Sequence, residues 1–344
     1  LFSLDTTINN IGVGMTVNAN LRLNLTGAEA DPAARSDRYR TAIEIAAYCD
    51  QVGFSSVNVE EHHVAENGWL PSPLTMAAAI AARTENCSIG VMALLVSLYD
   101  PVRLAEDIAV IDLISRGRLN FVAGMGYRPK EFHALDKPYK ERGVWMDHVL
   151  ETLINAWGDD PFEYRGELIN VTPKPFSRPH PTFLVGGMSK PAARRAARFG
   201  LPFAPPGKMP ELETVYFDEL EKNGFDRSQG FVYSPPEDFS VLFIDENPEQ
   251  AWEELGDCFL NEAIEYRSWK QEGLFRPLEL ESDSVEDLRA EKFYEIITPD
   301  ECIRRHLADP EFGSGLHPLC GGIPLDRAWD CINLYVDKVI PAIS

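Results

Sequence analysis

Residues 57–68 read VNVEEHHVAENG. Two carboxylates, Glu60 and Glu61, run straight into two imidazoles, His62 and His63, after a β-branched approach through Val57 and Val59. A neutral imidazole at a strand end can take up and release protons near pH 7. Strand alternation puts Val57 and Val59 on one face and Asn58 and Glu60 on the other, so Glu61, His62 and His63 fall at the rim beyond the strand. Metal binding fits poorly, because there is no H-E-x-x-H spacing and neighbours on a strand point apart. Residue types alone leave two readings open. One is a proton-handling histidine; the other is one packed and one solvated histidine.

Two further stretches carry chemistry. In GMGYRPKEF (124–132), Gly124 and Gly126 flank Met125 and allow close approach to the backbone, with Arg128, Lys130 and Glu131 following. In VGGMSKPAARRAA (185–197), Gly186, Gly187 and Met188 lead into a helix that starts near Ser189. Free amides, a hydroxyl and the positive end of the helix dipole suit an anion there, most directly a phosphate. A plain glycine turn with a serine cap is the alternative.

The elements that must position these clusters alternate along the chain. Strands are expected at 11–17, 55–59, 87–96, 118–124, 181–187, 201–207, 239–247 and within 315–324. Helices are expected within 38–54, 72–84, 101–115, 141–157, 190–200, 211–224, 248–269 and 326–340, with Gly53 and Gly117 as stops and Pro101 as a start. A small hairpin is expected at 162–171, turning at Arg165-Gly166. Eight strand–helix units predict one α/β domain over 1–344, a (β/α)8 TIM barrel with insertions. A doubly wound sheet is less consistent, since NANLRLNLTG, read as the first turn, lacks the dinucleotide fingerprint. A barrel places its chemistry at the C-terminal ends of the strands, where all three clusters fall.

Composition narrows the partners. The 344 residues hold 54 acidic and 32 basic side chains, a formal charge of -22 that repels nucleic-acid backbones. No apolar run approaches the ~20 residues that span a bilayer. LFSLDTTINN has neither the basic nor the apolar segment of a signal peptide. Six cysteines without a C-x-x-C pair read as reduced thiols of a cytoplasmic protein.

Several stretches together carry a family resemblance. VNVEEHH, DPVRLAEDIAVIDLISRGRLNFVAGMGYRPKEF, RPHPTFLVGG with AARRAARFGLPF, AWEELGDCFLNEAIEYRSW and HPLCGGIPLDRAW resemble, in order and spacing, the bacterial luciferase-like flavin monooxygenases over roughly 10–340. The resemblance implies a (β/α)8 barrel that oxygenates a small, apolar molecule through a peroxyflavin made from O2 and FMNH2. It also implies a separate flavin reductase and a homodimer. It maps His62 onto a proton-relaying histidine, Glu61 onto the carboxylate before it, and Ala93 onto a small residue beneath the flavin ring. Arg142 maps onto a phosphate-holding arginine, and Gly187, Met188 and Ser189 onto a turn touching phosphate and ring. Gly124 and Met125 fall on the fourth-strand loop of the flavin site. Two departures stand out: Met125 replaces a common arginine and Met188 a common serine, and both remove polar atoms from the phosphate side. F420-dependent hydride transfer on the same barrel, or a catalytically idle flavin-binding subunit, are the competing readings. The acidic stretch 270–293 is either a closing lid, as in relatives, or a solvated insertion.

Overall fold

The computed structural model describes residues 17–27, 29, 31–236, 239–269, 280–309 and 312–343. The first half alternates β1 (Val17–Leu23), α1 (Pro32–Gln51), β2 (Phe54–Val59), α2 (Pro73–Ala81), β3 (Ser88–Leu94), α3 (Pro101–Ser115), β4 (Leu119–Ala123), α4 (Pro129–Ala134) and α5 (Arg142–Trp157). The hairpin β5 (Phe162–Tyr164) and β6 (Glu167–Ile169) follows, then β7 (Thr182–Gly186), α6 (Lys190–Arg198), β8 (Phe203–Ala204), α7 (Pro210–Lys222), β9 (Val241–Ile244) and α8 (Pro248–Ser268). The chain continues with α9 (Val285–Glu291), β10 (Tyr294–Ile297), α10 (Pro299–Ala308), β11 (Ser314–Leu316) and α11 (Leu325–Leu334).

Nine strands form one sheet in the order β10-β9-β11-β1-β2-β3-β4-β7-β8, with every pairing parallel. The α/β barrel order is therefore present. The hydrogen-bonded ring of the expected barrel is not complete, because among the described residues β8 and β10 share no ladder. A parallel bridge from Phe203 to Val232 extends the β8 side.

Helix starts follow elementary chemistry. Asp31, Asp100, Asn247 and Thr298 cap α1, α3, α8 and α10, each with proline in the first turn. Gly53 and Gly117 take positive φ, 93° and 84°, just past α1 and α3. Along β1, Val17, Ala19, Leu21 and Leu23 are buried, while Asn20 and Arg22 line an interior cavity. The same alternation on β2 buries Val57 and Val59 and turns Ser56 and Asn58 inward. Barrel interiors are commonly filled with branched aliphatics. This one is partly lined with Asn20, Ser56, Asn58, Ser88 and Asn120, and it stays open.

That inversion corrects the reading of the stretch after the first expected strand. The expected strand at 11–17 lies outside the described residues except for Val17. The stretch NANLRL, read as part of the first turn, is strand, with Asn20 and Arg22 facing a polar interior. The stretch 280–293 is also structured, with α9 packed on α8, Leu280 and Leu288 buried, and Arg289 paired to Glu249. The remainder of the expected lid, 270–279, lies outside the described residues. β10 adds a strand that the sequence reading did not assign.

A buried polar cluster ties α8 to the sheet. Glu262 on α8 accepts hydrogen bonds from Asn24 Nδ2 (2.8 Å), Thr26 Oγ1 and Tyr294 OH (2.9 Å). His317 Nε2 lies 3.3 Å from the same carboxylate, with Nδ1 3.1 Å from the Arg22 carbonyl oxygen. Burial pushes the Glu262 carboxyl up, but His317, Arg22 and Thr26 outweigh it and hold it far below the usual carboxylate range. Glu262, His317 and Cys320 converge closely enough to suggest metal ligands. The carboxylate oxygens are already engaged by protein donors, so the cluster reads as a hydrogen-bonded strut.

Candidate active site

His62 sits just beyond β2, its backbone N–H donating to the Leu70 carbonyl at 3.2 Å. Its ring Nδ1 lies 3.0 Å from Glu131 Oε1. Glu131 is fully buried in the first turn of α4, and its Oε1 also accepts from the His63 backbone N–H (3.0 Å) and from Arg128 Nη1 (2.9 Å). Burial raises the Glu131 carboxyl, yet the His62 bond and charge, the His63 amide and Arg128 together hold it below its ordinary value. An ionised carboxylate only accepts, so in neutral His62 the proton sits on Nδ1 and Nε2 keeps its lone pair.

Aromatic rings surround this imidazole. Trp269 lies 4.4 Å away between centroids and Trp69 5.1 Å away, edge-on, with Tyr127 and Tyr266 at 5.9 and 6.2 Å. Arg128 stacks over the Trp269 ring at 3.8 Å and donates to the His63 carbonyl at 2.9 Å. Arg128 is thus committed to holding the His62 wall. Burial pushes the Tyr127 phenol well up, with Tyr266 beside it.

Glu61 has a different geometry from its neighbour. Its Oε1 accepts from Tyr99 OH (2.5 Å) and faces His63 Nε2 (2.9 Å), while Oε2 accepts from the Leu95 amide (2.6 Å). Both oxygens are occupied in anchoring the chain where β3 ends.

The other candidates converge from β3, β4, β7 and α5. A Cβ on Gly124 would stand 3.1 Å from Ala93 Cβ, so these two backbones meet closely. Gly187 takes φ +153°, and a Cβ there would lie 2.5 Å from Ala192 Cβ, so the turn into α6 requires glycine. Ser189 caps α6, its Oγ accepting from the Ala192 amide at 3.4 Å. Arg142 stacks on Tyr139 at 4.1 Å and donates from Nη1 to the Tyr139 carbonyl at 2.8 Å. Glu61, His62, Ala93, Gly124, Met125, Arg142, Gly187, Met188 and Ser189 all line one cavity of about 2030 Å³. Sequence reasoning gave no role to Glu131, Trp69, Tyr127, Tyr266, Trp269 or Arg195. Glu131 carried a weak signal, an acid directly after a proline-opened turn. The aromatic residues carried none.

The comparisons agree with this architecture. A family model for luciferase-like monooxygenases matches residues 21–307, and the chain belongs to that family. An uncharacterised protein of Sinorhizobium fredii is 32% identical over 179 residues, 50% of this chain and 52% of that protein. The alkanal monooxygenase beta chain of Vibrio harveyi is 25% identical over 198 residues, 54% of this chain and 61% of that one. The aligned part of the chain thus spans about half the length of these curated relatives. Among solved structures, monooxygenase RslO1 from Streptomyces bottropensis superposes with TM-score 0.70 at 23% identity, covering 94% of this chain and 100% of that one. The oxygenating constituent of 3,6-diketocamphane monooxygenase from Pseudomonas putida, in complex with FMN, gives 0.67 at 19%, covering 96% and 99%. An F420-dependent secondary alcohol dehydrogenase gives 0.62 at 17%, covering 96% and 100%. At these identities the likeness shows the fold.

Proposed function

We propose that this protein is a flavin-dependent monooxygenase that uses reduced FMN and O2 to oxygenate a small, apolar organic molecule. The observation that carries this reading is the His62–Glu131 pair on the wall of a large cavity. Glycines, a small alanine, a helix N-terminus and an arginine line the same cavity. These residues fit a flavin mononucleotide. Gly187 leaves no room for a side chain at the turn, and Arg142 Nε is buried without a partner among the described residues. Arg142, Gly187 and Ser189 would hold the phosphate; Ala93, Gly124, Met125 and Met188 would bound the ring.

When bound, reduced flavin supplies the electrons that activate O2. The chain's own residues do the rest. Glu131 fixes the His62 tautomer, so Nε2 is free to accept a proton and return it. Glu61 anchors the backbone that carries both histidines. Trp69, Tyr127, Tyr266 and Trp269 keep water from the imidazole. The family relatives support a monooxygenase; the Vibrio harveyi relative is named for alkanals.

A separate reductase would deliver FMNH2 by diffusion. A second copy of the chain would cover α3, where Val110, Leu113 and Ile114 are 43%, 41% and 45% exposed on one face. The six free cysteines, five of them buried, suit a reducing cytoplasm. No described helix is long and apolar enough to cross a membrane.

The second reading is F420-dependent hydride transfer, which the likeness to an F420-dependent dehydrogenase keeps in view. Titrating the protein with FMN, FMNH2 and F420 separates the two. Monooxygenase function predicts FMNH2 binding and faster O2 uptake in the presence of an apolar substrate. Selective F420 binding with no effect on O2 uptake would favour the second reading.

A further inference from the structure

We propose that Arg195 supplies, together with Arg142, the cationic seat for the phosphate of flavin mononucleotide, in place of the arginine that position 125 lacks. The inference rests on the proposed cofactor and names a residue that neither motif nor resemblance singled out. Arg195 lies on α6, past Ser189 and Ala192, and lines the same cavity as Gly187, Met188, Ser189 and Arg142. It is 9% exposed. Nε pairs with Asp147 Oδ1, and Nη2 donates to the Gly143 carbonyl at 3.1 Å. Gly143 directly follows Arg142, so the two guanidiniums are tethered through adjacent residues. Nη1 makes no hydrogen bond to the described residues.

Charge counting points to a ligand. Arg198 Nη2 reaches the same Asp147 oxygen at 2.7 Å, so Arg195 and Arg198 share one carboxylate. Arg142 forms no ion pair among the described residues and is held only by Tyr139. Three guanidiniums against one carboxylate leave a surplus of positive charge; Arg195 and Arg198 stand in the last turn of α6, and Arg195 and Arg142 face the cavity. A phosphate monoester carries up to two negative charges, and the helix amides add to the match. In a chain of net charge -22, an anion needs such a local surplus to bind.

A purely structural role, bracing α6 against α5 through Asp147 and Gly143, is the alternative. Riboflavin has the same ring system as FMN and no phosphate, so the pair of ligands separates the two roles. Arg195→Gln is expected to weaken FMN by about 10- to 100-fold. Riboflavin affinity, read by the same fluorescence titration, should stay within about twofold of wild type. Equal losses for both flavins would show a brace and overturn the assignment. Asp147→Asn guards against misfolding, because it removes the brace and leaves the guanidinium. It should keep or increase the preference for FMN, and a reduced preference would also overturn the assignment. Wild-type protein that binds riboflavin as tightly as FMN would refute the phosphate seat while leaving the flavin reading standing. Binding of neither flavin would refute the cofactor reading and the seat with it.

Discussion

At the scale of single residues, proton handling depends on which imidazole nitrogen of His62 is left without a partner among the described residues. Glu131 engages His62 through Nδ1, so in the proposed mechanism Nε2 would be the atom that handles protons. His62→Ala should lower turnover by ~10²-fold or more, the usual scale of general acid–base catalysis. His63→Ala should matter less, because His63 Nε2 faces Glu61. Steady-state kinetics of the two variants checks this, and equal activities would remove His62 from the mechanism. Glu131→Gln should lower kcat roughly tenfold or more with little change in KM, and should shift the pH profile of kcat. A variant that changes KM alone would mark Glu131 as a scaffold. His62 was legible in the sequence because its cluster stands out at a strand end. Glu131 was not, because it lies 69 residues away and only the fold brings the two together. Glu61 shows the opposite limit: its position beside His62 suggested chemistry, while its oxygens are spent on Tyr99 and the Leu95 amide.

At the scale of elements, the buried Glu262 cluster decides how α8 carries Tyr266 and Trp269 to the His62 wall. Removing one partner of a buried pair typically costs about 3–5 kcal/mol. Glu262→Ala should cost that much, because it strands Asn24, Thr26, Tyr294 and His317 at once. The pH dependence has a definite sign. The folded carboxyl lies below the unfolded value of about 4.3, so its stabilisation is complete above that value. It is lost as pH falls through the folded value. Urea midpoints measured at pH 7 and at stepwise lower pH should fall more steeply for wild type than for Glu262→Gln. Parallel curves would show that the carboxylate carries no such linkage. Most helices were legible from proline starts and glycine stops; α3 falls at 101–115 as expected. NANLRL is strand and not turn, because its polar Asn20 and Arg22 face the cavity while Ala19, Leu21 and Leu23 are buried. β10, only four residues long, offered too little alternation to be noticed.

At the scale of the whole molecule, strand–helix alternation was enough to indicate a parallel α/β barrel, and the family follows from the match over residues 21–307. The missing ladder between β8 and β10 was not legible, because β8 is two residues long and its register depends on the segment around Val232. The proposed dimer belongs to this scale too. Leu113→Glu would place a charge in the α3 face and should shift the protein from dimer to monomer in sedimentation equilibrium, with the monomer still folded. A wild-type monomer would refute that surface. In the proposed function, reduced FMN is the working cofactor. The most direct measurement is rapid mixing of the anaerobic protein–FMNH2 mixture with O2, following flavin absorbance against free FMNH2 and against a parallel F420 titration. The protein is expected to bind FMNH2 and to change the time course of its oxidation, and His62→Ala to alter that course without abolishing binding. Oxidation identical to that of free FMNH2, with F420 bound instead, would contradict it.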